Sequence, residues 1–150
     1  MSPSAQTSQP GVVPGPVLLD TCAAIWLMGG DPLSPEATSA LIAARSTRSG
    51  IYVSPFSAWE IGTLLAKGKL HVPLPPELWF DTLLALPGVR LAKLTPSILL
   101  SSTSLPGAPP NDPSDRIIAA TARTYRYNLI TRDRLLLDYA QRGYLQATPC

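Results

Sequence analysis

Short apolar runs alternate with helix-periodic stretches along most of the chain. VLLD at 17–20 is an apolar run closed by an acid, and TCAAIWLMGG after it reads as a buried helix stopped by Gly29 and Gly30. LSPEATSALIAARSTRSG predicts a second helix, with Ser34 as N-cap, Pro35 at its first position, Ala37, Leu41 and Ala44 repeating on one face, and Gly50 as terminator. IYVS is strand-like, and SPFSAWEIGTLLAKGK then opens on Ser54 and Pro55 and carries Trp59, Ile61, Leu64 and Leu65 before Gly68. LPPELWFDTLLALPG gives another short helix, VRLAKL a strand, and TPSILLSSTSL a helix with a Thr-Pro start. After the loop PGAPPN comes the helix of NDPSDRIIAATA, with Asn128 as its expected left-handed stop, then LIT as a strand and a last helix in RDRLLLDYAQRG.

Strands that alternate with helices predict an α/β fold: right-handed crossovers and a mostly parallel sheet covered on both faces. Such sheets bind ligands beyond the carboxyl ends of their strands. Residues 1–16 carry four prolines with serine and glycine and no apolar period, so they are expected to form a disordered tail. That segment lacks the basic start and apolar core of a signal peptide, and no apolar stretch reaches the roughly 18 residues of a membrane span.

With 150 residues, 45% of them hydrophobic, the chain has material for one domain and one core, assigned to 17–150. Only 15% are charged, so the ten acids are few enough to weigh singly. A net charge of +2 is too weak by itself to argue for nucleic-acid binding, but half of the twelve basic residues lie between Arg116 and Arg142, so any cationic face belongs to that segment. Cys22 and Cys150 form neither a disulfide framework nor a zinc motif, which fits a reducing cytoplasm, and Cys22 reads as a core residue.

The acids are placed tellingly. Asp20 closes the first strand, Glu60 follows the second by a helical turn, Asp115 opens a helix, and Asp133 directly follows LIT. Each has a structural alternative: Asp20, Asp112 and Asp133 suit N-caps, Asp115 favours the helix dipole, and Glu60 suits an outer helix face. If they converge, their mutual repulsion calls for a hard divalent cation, and an oxygen-only set suits Mg²⁺ or Mn²⁺. Carboxylate-bound divalent ions activate water and stabilise entering and leaving oxygens in phosphodiester cleavage, without a catalytic histidine or cysteine, so the single His71 is dispensable. No Walker loop, GxGxxG, HExxH, paired CxxC or GxSxG elbow is present. Trp26, Trp59 and Trp79 each fall in a helical apolar pattern, which suits core or dimer packing better than base stacking.

LLDTCAAIWLM, VSPFSAWEIGTLLAKGKL, LPGAPPNDPSDRIIAATAR and LITRD, in this order and spacing over roughly residues 17 to 147, resemble the PIN-domain ribonucleases, and among them the VapC-type toxins of bacterial toxin-antitoxin pairs. The resemblance places the family's acids on Asp20, Glu60, Asp115 and Asp133. It makes Asp112 and Thr131 auxiliary. It implies a three-layer α/β/α sandwich, Mg²⁺- or Mn²⁺-dependent cleavage of RNA, homodimerisation and neutralisation by a cognate antitoxin. Arg116, Arg132 and Arg134 are candidates for the RNA backbone, against the alternatives of ion pairing or simple solvation. Two departures stand out: Cys22 and Pro110 occupy positions where members of this subgroup often have histidine. Two further readings stay open, a PIN-like module without turnover that binds RNA or a partner, and a receiver-like phosphoacceptor domain. The latter needs a lysine after a late strand, yet none occurs beyond Lys93.

Overall fold

The computed structural model describes residues 15–150; most of the expected N-terminal tail, residues 1–14, lies outside the described residues. Five strands and seven helices alternate in it: β1 (Val17–Leu19), α1 (Thr21–Gly29), α2 (Pro35–Ser46), β2 (Ile51–Val53), α3 (Pro55–Ala66), α4 (Pro76–Ala85), β3 (Val89–Leu91), α5 (Pro96–Ser102), α6 (Pro113–Tyr125), β4 (Asn128–Thr131), α7 (Arg134–Gln141) and β5 (Gln146–Pro149). No helix among the described residues is long and apolar enough to cross a membrane.

The helix starts follow their capping chemistry. Ser34, Ser54 and Thr95 each turn a side-chain oxygen back onto an amide of the first turn, with proline just inside the helix, and Asp20, Asp112 and Asp133 do the same with carboxylates. One stop differs from expectation. Helix α6 ends on Arg126, in the left-handed region at φ 58, whereas Asn128 opens β4 and bonds through its side chain to Thr148 at 2.9 Å. A free αL cap was not needed at Asn128, because its amide is already taken by the carbonyl of Pro16.

All strand pairings are parallel, in the order β3-β2-β1-β4-β5. Residues alternate across the pleat. Val17, Leu19, Ile51 and Val53 enter one buried cluster with α1 to α4, while Leu18 and Leu129 enter the other with α5 to α7. That is the three-layer α/β/α sandwich. β1 sits centrally with Val17 matched to Ile51 on one side and Asn128 on the other. The chain builds outward from β1 through β2 to β3 and then returns to β1 with β4, so the switch in strand order lies between β1 and β4, and the crevice beyond their carboxyl ends is where such sheets bind ligands.

Candidate active site

Asp20 and Asp133 are delivered to that crevice by the two strands flanking the switch point. The Asp20 amide extends the β1/β4 ladder by donating to the Ile130 carbonyl at 3.1 Å. Its carboxylate accepts the Ala23 amide on Oδ1 at 2.7 Å and the Thr131 hydroxyl on Oδ2. Thr131, fully buried, also accepts the Asp133 amide at 3.0 Å, so one hydroxyl joins the tips of β1 and β4. Asp133 Oδ1 accepts the Leu136 amide at 3.0 Å. Both aspartates therefore cap a helix and face the crevice; the two readings of the sequence are compatible.

Glu60 and Asp115 arrive on helices. Glu60 accepts a 2.6 Å hydrogen bond from the Thr21 hydroxyl. The Asp115 amide donates to Asp112 Oδ2 at 3.1 Å, which makes exposed Asp112 the cap of α6 and leaves the Asp115 carboxylate toward the cleft. Asp20, Glu60, Asp115 and Asp133 all line one cleft of about 370 Å³, with Cys22 and Arg132 on its wall. Asp112 lies outside the lining.

Burial, with repulsion from the neighbouring carboxylates added to it, shifts the protonation of Asp20 and Asp115. Burial raises the Asp20 pKa, two hydrogen bonds from Thr131 and Ala23 oppose that rise, and Asp133 and Glu60 add to it. Asp115 is pushed up to about 7, first by burial and then by Asp133, Asp112, Glu60 and Asp20. Hard oxygen donors whose ionisation is opposed by one another fit a divalent cation in kind. In position they are looser: among the described residues no three His, Cys, Asp or Glu side chains are grouped to hold an ion as they stand, so carboxylate rotation has to complete any such set.

The arginines divide. Arg116 donates to the carbonyls of Ser102 at 2.9 Å and Pro110 at 3.1 Å, and so fastens the loop before α6. Arg132 lies over Trp26, its guanidinium carbon 3.3 Å from the ring centroid, and donates to the Cys150 carbonyl at 2.9 Å. Arg134 is exposed on the first turn of α7. Of the tryptophans, Trp79 is in the core, Trp26 walls the cleft, and Trp59 is exposed beside Phe56.

Cys22 corrects the sequence reading. It is exposed and lines the cleft rather than the core, because the second position of α1 turns toward the crevice that Asp20 opens. Partial desolvation and then Asp20 and Glu60 raise its pKa, so it stays a protonated, weakly nucleophilic thiol. Two neighbours also escaped the sequence: Thr21 and Ser57, buried hydroxyls in contact across 36 positions. A threonine after a strand-ending acid was the only hint.

Comparison with known proteins agrees with this fold. A PIN-domain family model matches residues 17–141. Ribonuclease VapC22 of Mycobacterium tuberculosis (strain ATCC 25618 / H37Rv) is 33% identical over 125 residues, which span 82% of this chain and 91% of that protein. The fold is similar to that in a crystal structure of VapBC2 from Rickettsia felis bound to a DNA fragment from their promoter, with a TM-score of 0.63, 13% identity and coverage of 89% of this chain and 98% of that one. It is also similar to a chain of a toxin-antitoxin complex from Klebsiella pneumoniae, with a TM-score of 0.55, 24% identity and coverage of 86% and 94%. With an all-parallel sandwich, acids gathered at its β1/β4 switch point and a match over most of its length, the chain belongs to the PIN-domain family, among its VapC-type members.

Proposed function

We propose that this protein is a metal-dependent endoribonuclease, the toxin of a toxin-antitoxin pair. The observation that carries the reading is the arrival of Asp20, Glu60, Asp115 and Asp133, from four separate parts of the chain, in one cleft at the carboxyl edge of the sheet. These four would hold Mg²⁺ or Mn²⁺. When bound, a divalent ion offsets charge at the scissile phosphate and acidifies water there.

The chain's own groups prepare that chemistry. Thr131 and the Ala23 amide fix both oxygens of Asp20, so this carboxylate meets a cation already oriented. Asp115, with its pKa near 7, has to release a proton to serve as a ligand, which makes recruitment of the site pH-dependent. Arg132, seated on Trp26 and tied to the Cys150 carbonyl, sets a cation at the cleft wall suited to an RNA phosphate. Arg134 is a second candidate for such contacts, whereas Arg116 is committed to the loop carbonyls. The fold of the VapBC complexes supports a cognate antitoxin as partner, and a homodimer and a cytoplasmic location belong to the same proposal.

The test is cleavage of structured and unstructured RNA by metal-stripped protein, with Mg²⁺ or Mn²⁺ restored, beside Asp20→Asn and Asp115→Asn. Cleavage that returns with metal and disappears in both variants is the expected result. Metal binding without any cleavage would instead identify a module that binds RNA or a partner.

A further inference from the structure

Glu60 is the acid whose placement the backbone explains least. Asp20 and Asp133 are pinned by the helices that they cap, whereas Glu60 sits inside α3 on a long side chain with several free torsions. What holds it is a chain of hydroxyls. Thr21 Oγ1 donates to Glu60 Oε1 at 2.6 Å, a short charge-assisted bond. Thr21 has one hydroxyl proton, and it is used there, so its 2.9 Å contact with Ser57 Oγ has Ser57 as donor. Both hydroxyls are buried, Thr21 at 8% and Ser57 at 1% exposure.

We propose that Ser57 and Thr21 form a two-hydroxyl relay that positions the Glu60 carboxylate for the cation site. This rests on the metal-site part of the proposed function. Both are positioning residues that act through Glu60. Ser57 lies one turn before Glu60 on the same face of α3, and Thr21 directly follows Asp20 at the start of α1. One strand-to-helix turn therefore supplies both the Asp20 carboxylate and the hydroxyl that orients its counterpart on α3. The relay takes up Oε1 and leaves Oε2 without a protein donor among the described residues, with both of its lone pairs open to a cation. Two buried hydroxyls that served only packing could satisfy each other, and would not need to end on a carboxylate.

The experiment measures Mn²⁺ affinity by titration calorimetry on the full chain, with RNA cleavage kinetics alongside, for Thr21→Val, Thr21→Ser and Ser57→Ala. Thr21→Val keeps the shape and removes the hydroxyl; it is expected to bind Mn²⁺ about 10-fold or more weakly and to lower kcat with little change in KM. Thr21→Ser should restore both, and Ser57→Ala should weaken binding in the same direction by a smaller factor. Wild-type Mn²⁺ affinity in Thr21→Val, or a Thr21→Ser protein as impaired as the valine variant, would overturn the relay. Should Thr21→Val fail to fold, unchanged Mn²⁺ affinity in Ser57→Ala would overturn it as well. If the wild-type protein binds Mn²⁺ but cleaves no RNA, the nuclease reading fails while the affinities still decide the relay. If the wild type binds no Mn²⁺, the relay falls with the site.

Discussion

The two edges of the sheet obey one electrostatic rule and end up in opposite conditions. At the carboxyl edge, where helices begin, stand Asp20, Asp112, Asp115 and Asp133; where helices α2, α6 and α7 end, on the way back to the amino edge, stand Arg45, Arg123, Arg126 and Arg142. Each sign suits the helix end that it occupies. The arginines are dispersed, and three of them find backbone carbonyls in separate loops: Arg45 at Pro87, Arg123 at Tyr144 and Arg142 at Ala108. Three of those four aspartates converge, joined by Glu60, and burial together with the neighbouring carboxylates raises the pKa of Asp20 and Asp115. Helix capping alone would leave both edges equally quiet. The difference is convergence at the switch point, which concentrates acidic side chains in one cleft at one edge.

The strongest way to break this contrast is Asp20→Asn. It should lower RNA cleavage at saturating Mn²⁺ by about 1000-fold, about 4 kcal/mol of transition-state stabilisation, measured as initial rates, with the fold kept. Metal itself comes next: at about 100 times its Kd, Mn²⁺ should add roughly 2.7 kcal/mol to folding stability, read as a rise in the thermal midpoint, and Mg²⁺ should act likewise. An unchanged midpoint would mean that the acidic edge is no more a cation site than the basic edge is an anion site.

The third effect is smaller and has a defined sign. Asp115 is raised in the folded protein from an ordinary 3.8 to about 7, so the native state holds its proton more tightly than the unfolded chain. Its contribution to stability is present below pH 3.8 and is lost as pH rises through about 7. Metal-free protein should therefore lose thermal stability across that interval, and Asp115→Asn should remove that part of the slope and stabilise the protein above pH 7 while abolishing cleavage. With the group partly exposed, the gain should stay below about 1 kcal/mol. Last, Arg142→Ala at the other edge should cost under about 1 kcal/mol in denaturant unfolding and leave cleavage untouched.

Much of this contrast was legible in the residues. The Ser-Pro, Thr-Pro and Asp-Pro pairs marked helix starts because proline tolerates the first helical position and short polar side chains reach free amides. Acids at strand ends announced the crevice because successive parallel strands must all finish on the same side. What stayed hidden depended on contacts remote in sequence. β5, spelled QATP, has no apolar run and exists through its pairing with β4. Thr21 and Ser57 look like ordinary helix-start residues until α1 and α3 are brought together. Cys22 matched an apolar helical pattern, yet the face it occupies is the cleft wall, and periodicity cannot tell a core from a crevice.

The hydroxyl of Thr131 on Asp20 spans 111 positions of the chain, and this has a consequence in time. β1 leaves the ribosome well before its partner β4, which emerges only after every intervening strand and helix has been made. Loop closure over that span comes late in folding, and three of the four acids wait without a common cleft until it does. For a nuclease that would endanger the cell translating it, an unfinished copy is an unarmed one.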